Sequence, residues 1–228
     1  MEAYALLGGP TDLWPVNIKE ILKDARKTNN LIVGVDRGSL YLEELGITPD
    51  VALGDFDSLK KADLAEIESN VRDIRYSNPV KDLTDSELML HTVFDDYQID
   101  NLNILGATGG RIDHFLINLL MLLDPSLRQF AEQVSIMDKQ NEIVFFNPGR
   151  RVIKKVSEYP YIGFAALTAI KDFNILGARY ELHHYSGDYP RVFSSNEFLP
   201  NTSQFEINFE KGMLAAIYSK DVNRFHNL

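Results

Sequence analysis

Two aspartates with one aromatic between them, Asp55 and Asp57 of Gly54-Asp55-Phe56-Asp57-Ser58, follow the apolar run Val51-Ala52-Leu53. Neighbouring anions repel, so solvent, a helix N-terminus or a cation must compensate them. Residues i and i+2 at a strand end point the same way, so both carboxylates can face one space. Magnesium suits such donors, because it takes one or two carboxylates together with phosphate oxygens and water. The competing reading is that Asp57-Ser58 caps a helix starting near Leu59 and that Asp55 is solvated. A second acidic turn follows at Lys81-Asp82-Leu83-Thr84-Asp85-Ser86-Glu87. Asp82 and Asp85, three apart at a helix start, share one face. A helix needs one cap, and Asp82 is a natural one, yet this turn also offers Thr84, Asp85 and Glu87. Asp55, Asp57, Asp82 and Asp85 at neighbouring strand ends make an anionic pocket, stable mainly when it holds cations.

Gly106-Ala107-Thr108-Gly109-Gly110-Arg111-Ile112-Asp113-His114 supplies the opposite charge. Glycines let backbone N–H groups approach an anion, and the helix start near Arg111 favours negative charge. Arg111 adds a planar donor fork suited to phosphate. The GxxxxGK[ST] spacing of a P-loop is missing. Gly109-Gly110 can equally be a tight turn, Arg111 an ion-pair partner of Asp113, and His114 a partly buried histidine. Together with the acidic turns, the stretch suggests a polyphosphate held between carboxylates and an Arg-bearing helix start.

The elements that must position these residues alternate between strand and helix. Strand-like runs around residues 4–9, 31–36, 50–55, 71–76, 102–107 and 133–138 are separated by helical spacings. That alternation predicts a Rossmann-like α/β domain with a mostly parallel sheet and helices on both faces. Ligands of such sheets sit beyond the carboxyl ends of the strands, and Gly8-Gly9, Asp36-Arg37-Gly38 and both acidic turns collect there. The helix of Ile112-Asp113-His114-Phe115-Leu116-Ile117-Asn118-Leu119-Leu120-Met121-Leu122-Leu123 is apolar nearly all round, which predicts deep burial. From about residue 140 short strand-like pieces alternate with Pro, Gly, Ser and Asn, and Lys211-Gly212 reads as a hairpin turn. An α/β domain over 1–140 and an antiparallel β domain over 141–228 are expected.

Composition narrows the function classes. Among 228 residues, 23 Lys and Arg stand against 33 Asp and Glu, a net charge of −10 with no basic block. That weighs against a nucleic-acid partner, which needs clustered cations. No cysteine is present, which excludes disulfide scaffolds, Cys-zinc sites and thiol catalysis. With no leader-like start and no apolar run of about 18 residues, a cytoplasmic protein off the membrane is expected.

Three stretches in order, residues 33–58, 81–90 and 106–122, together with Ser194-Ser195-Asn196-Glu197-Phe198, resemble the thiamine pyrophosphokinase family. The resemblance implies an α/β catalytic domain, a β-sandwich domain and a homodimer with shared active sites. It implies transfer of pyrophosphate from ATP to the hydroxyl of thiamine, giving thiamine diphosphate and AMP, with magnesium. By matched position Asp55, Asp57 and Asp82 would handle the metal. Asp36, Thr84, Asp85, Arg111, Asp113 and His114 would lie around ATP, while Ser195 and Asn196 would serve thiamine from the partner subunit. Some members carry a tryptophan just after Ser-Asn; Glu197-Phe198 stands there instead, and Phe198 would offer its apolar face to the thiazolium. A metal-dependent phosphohydrolase and a nucleotide-sensing module are the competing classes.

Overall fold

The computed structural model describes residues 1–77 and 83–221, so Asp82 lies outside the described residues. The apolar runs of the first unit, Met1–Lys139, become β1 (Glu2–Leu6), β2 (Leu31–Val35), β3 (Val51–Gly54), β4 (Asp73–Tyr76), β5 (Asn101–Leu105) and β6 (Val134–Met137). They lie in the order β6-β5-β1-β2-β3-β4, and these pairings are parallel. Every residue of β2 and β3 is buried, as expected of a parallel strand covered on both faces. Between the strands run α1 (Ile18–Lys27), α2 (Arg37–Glu44), α3 (Lys61–Asn70), α4 (Asp85–His91) and α5 (Ile112–Leu120). Leu22 and Leu42 bring α1 and α2 onto Leu6, Ile32 and Leu105 of the sheet. α4 continues as a π-helical turn over Thr92–Asp96. There Asp96 and Thr92 hold the Arg75 guanidinium of β4.

Strand order reverses at β1. β2 to β4 extend to one side and β5 and β6 to the other, so the topological switch point, where the ligand crevice of such sheets falls, lies at the carboxyl ends of β1 and β5. Backbones approach closely at that point. The Leu7 N–H donates to the Leu105 carbonyl at 2.9 Å and the Gly9 N–H to the Gly106 carbonyl at 2.9 Å. A Cβ on Gly9 would lie 2.3 Å from the Gly106 oxygen, so only glycine fits.

The deep burial expected of α5 does not occur. Asn118 is its one buried residue; Ile112 is 73% exposed, and Leu116, Ile117 and Leu120 are exposed as well. An apolar surface can be covered by something other than the helix's own domain, and periodicity does not distinguish the cases.

The second unit, Gln140–Leu228, is an antiparallel β-sandwich. It comprises β7 (Asn141–Phe146), β8 (Gly149–Lys154), β9 (Tyr161–Ala166), β10 (Ile170–Leu176), β11 (Leu182–Gly187), β12 (Arg191–Asn196), β13 (Gln204–Phe209) and β14 (Leu214–Ser219). One sheet runs β12-β9-β14-β7 and the other β11-β10-β13-β8. Phe164 and Leu214 from the first meet Phe173, Phe205 and Ile207 from the second in a common core. The hairpin expected at Lys211-Gly212 is not one: β13 pairs with β8 and β10, and β14 with β7 and β9, so the connection crosses between sheets. Among the described residues no helix is long and apolar enough to cross a membrane.

Candidate active site

At the carboxyl end of β3 the chain stops being a strand at Gly54, whose φ is +140°. A Cβ there would fall 1.9 Å from Asp36 Oδ1, so glycine is required for the two strand ends to meet. Phe56 then takes a left-handed φ of +55° and turns its ring inward against Ala52, Ile67 and Val71. Strand alternation therefore does not align Asp55 with Asp57, contrary to the expectation from sequence. The two are joined by a turn in which the Asp57 N–H donates to Asp55 Oδ1 at 3.0 Å. Asp55 is half-buried and Asp57 exposed. The capping role is absent, because α3 begins at Lys61 after Lys60, with no side-chain cap.

Asp36 sits at the end of β2 with a φ of +48° and a ψ of −121°, outside the left-handed helical region that aspartate visits readily. Its Oδ1 accepts the Phe56 N–H at 3.3 Å. Burial pushes its carboxyl up to about 7, aided by the facing Asp85 carboxylate, which shares a hydrogen bond with it, and by Asp55; the Phe56 N–H acts the other way. Three acidic side chains from β2, β3 and α4 thus influence one another across the edge of the sheet.

Asp85 is free to do so because it does not cap α4. Thr84 is the N-cap, in a reciprocal box with Glu87. Its hydroxyl donates to Glu87 Oε2 at 2.9 Å and accepts the Glu87 N–H at 3.3 Å. The Thr84 hydroxyl expected near ATP is thereby committed to the helix start.

Across the crevice, Arg111 occupies the N-cap position of α5. Its fork grips Asp113, Nε to Oδ1 at 3.1 Å and the outer nitrogen to Oδ2 at 2.6 Å. That grip holds the Asp113 carboxyl below its usual range. Arg111, Asp113 and His114 are all exposed. The Thr108 hydroxyl ties the glycine loop to Asp138 at 2.8 Å. Two residues that the sequence reading did not single out lie beneath both rims: Ser86 and Asn118, both buried. A lone amide inside an apolar helix was the available signal.

Among the described residues, no three His, Cys, Asp or Glu side chains gather closely enough to hold a metal ion by themselves. The donor chemistry nevertheless fits magnesium, which needs only one or two carboxylates when phosphate supplies the rest. Asp36 and Asp85 stand beside Asp55 as further oxygen donors at that edge.

In the second unit, Ser195 is an exposed residue in a left-handed bulge of β12, with φ +59°. Asn196 is buried and committed: Oδ1 accepts from the Tyr180 and Glu197 N–H groups, and Nδ2 donates to the Tyr180 carbonyl. Phe198 is only 8% exposed and packs on Phe205 with ring centroids 4.8 Å apart. It therefore cannot present the apolar face expected of it, because the core has taken the ring.

Comparison with known proteins is specific. Residues 22–136 match the family model for the thiamin pyrophosphokinase catalytic domain, and residues 150–214 the model for its vitamin B1 binding domain. The chain is 33% identical to the thiamine pyrophosphokinase of Bacillus subtilis, over 94% of this chain and 96% of that one. A crystal structure of a Lactobacillus plantarum protein superposes with a TM-score of 0.86 at 35% identity, covering 97% of this chain and 99% of that one. A thiamin pyrophosphokinase family protein of Enterococcus faecalis gives 0.87 at 31% identity, covering 97% and 100%.

Proposed function

The chain belongs to the thiamine pyrophosphokinase family and makes thiamine diphosphate from thiamine and ATP; on that premise we propose that the transfer takes place at the carboxyl edge of the parallel sheet. The thiamine hydroxyl attacks the β-phosphorus and gives up its proton to solvent, the bond from that phosphorus to the α–β bridging oxygen breaks, and AMP leaves. Charge develops on the β-phosphoryl oxygens and the bridging oxygen, so positioning and electrostatics dominate, and no nucleophilic side chain is required. Asp55 and Asp57, with Asp82, would hold magnesium, which when bound would neutralise phosphate charge. Asp36 and Asp85 add two further carboxyl groups to the same edge. Arg111 exchanges its grip on Asp113 for a phosphate oxygen pair, a swap from one anionic partner to a more highly charged one at an exposed position.

The observation that carries this placement is that Asp36, packed against the Gly54 backbone where no Cβ would fit and accepting the Phe56 N–H, stands at one edge with Asp55 and Asp85. The exposed apolar side of α5 supports a homodimer, and the outward hydroxyl of Ser195 supports thiamine contact from the second unit of the partner. Asn196 would act by holding Tyr180 rather than by touching thiamine. ATP as co-substrate and the lack of cysteine suit a cytoplasmic setting.

The test is to incubate the protein with ATP and magnesium, with and without thiamine, and to follow AMP. AMP formed only with thiamine is expected. Hydrolysis without thiamine would favour a phosphohydrolase, and no turnover a nucleotide sensor.

A further inference from the structure

Asn118 is 4% exposed, the one buried residue of a helix whose apolar side chains Ile112, Leu116 and Leu120 face outward. Side chains four apart share a helix face, so these three lie together and Asn118 projects from the opposite side. α5 is therefore seated through an amide where an apolar contact would be usual. Both ends of that amide are used. The Ser86 hydroxyl donates to Asn118 Oδ1 at 2.7 Å, and Asn118 Nδ2 donates to the Ala107 carbonyl at 3.0 Å.

These partners are not arbitrary points in the fold. Ser86 follows Asp85 directly in the first turn of α4. Ala107 precedes Thr108-Gly109-Gly110-Arg111, the loop that delivers the guanidinium. One side chain thus joins the acidic rim to the basic rim from underneath, out of reach of solvent. Buried hydrogen bonds of this kind fix geometry because a displaced partner is left unsatisfied. Among the described residues, the Thr108–Asp138 bond is a second tie on the loop, but it leads to the end of β6 and not to the carboxylates.

We infer that Asn118 is a positioning residue, setting the separation between Arg111 and the Asp85 turn through its bonds to Ala107 and Ser86. The inference rests on the pyrophosphate-transfer reading of this edge. Misplacement of a binding group by about 1 Å costs up to about a hundredfold in rate. Asn118→Ala in the full-length protein should lower kcat/KM for ATP about tenfold or more while leaving KM for thiamine near its starting value. The decisive measurement is a double-mutant cycle with Arg111→Ala. If Asn118 acts through the guanidinium, Asn118→Ala should cost less than about threefold once Arg111 is gone. Ser86→Ala should show the same pattern in weaker form, and Ser86→Thr, which keeps the hydroxyl, should recover activity. Should Asn118→Ala fail to fold, the cycle is run with Ser86→Ala, which removes a single hydroxyl. Equal losses in both Arg111 backgrounds, or wild-type kinetics for Asn118→Ala, would overturn the inference. A wild-type protein without thiamine-dependent AMP release would instead overturn the reading on which it rests.

Discussion

The Asp36–Asp85 contact and the Arg111–Asp113 pair stand on opposite rims of one crevice, yet they handle charge in opposite ways. In the first, two like-charged groups meet in a half-buried place, and burial raises Asp36 to about 7. In the second, opposite charges meet at the surface, exposed on both sides. An exposed pair is worth little to stability, so Arg111 would lose little by changing partners. In the half-buried pair the neighbouring carboxylate disfavours ionisation of Asp36, whereas the exposed pair is already satisfied.

The sharpest way to break this comparison is to remove an anion from the acidic rim. Asp55→Asn should reduce turnover at least about a hundredfold, the scale of losing a principal electrostatic contact, with an unchanged circular dichroism spectrum. Wild-type turnover would reduce Asp55 to a turn residue. Ser195→Ala should also lose activity, and the two variants mixed under conditions that allow subunit exchange should regain it through one intact composite site. Exchange without recovery would place the site within a single chain.

On the other rim, Arg111→Lys replaces a bidentate fork with a point charge and should lower kcat/KM for ATP about tenfold. The KM for thiamine should stay put. Equal losses for both substrates would take Arg111 out of the phosphate site.

The smallest effect sharpens the charge argument through stability. Because the folded protein holds the Asp36 carboxyl above its unfolded value of about 3.9, ionisation is disfavoured in the native state. The contribution of this group is therefore most favourable below about pH 4 and is lost as pH rises through about 7. Asp36→Asn should accordingly raise Tm at pH 8 in metal-free buffer by about 2–4 °C, and should change Tm little at pH 4. A variant less stable than wild type at pH 8 would show that the contact is not strained.

Much of this was legible in the sequence, for reasons that differ by region. Val51-Ala52-Leu53 and Leu31-Ile32-Val33 announce buried parallel strands because no polar residue interrupts them. Strand alternation misplaced Asp55 and Asp57 because the left-handed turn at Phe56 depends on where its ring finds a core, which is a tertiary fact. Thr84 and Asp82 are both plausible caps, and the choice was made by Glu87, whose carboxylate closes the box on Thr84. β10 and β12 carry weak strand signals, because Ile170–Leu176 mixes charged and apolar residues, while Arg191–Asn196 is a largely exposed edge strand. The turn at Lys211-Gly212 looks alike whether the chain folds back in one sheet or crosses to the next. Phe198, in a polar stretch, gave no sign that the bridge between Ala178 and Phe198 would carry it inward.

The most direct test of the account is a carboxyl-carbon NMR titration of Asp36, assigned through the Asp36→Asn variant, with and without magnesium and a nonhydrolysable ATP analogue. The account predicts a midpoint near 7 in the metal-free protein, falling toward the ordinary carboxylate range of about 4 when the cation binds. A midpoint already near 4 without magnesium, or one near 7 that ignores it, would contradict the proposal that this rim takes up a cation.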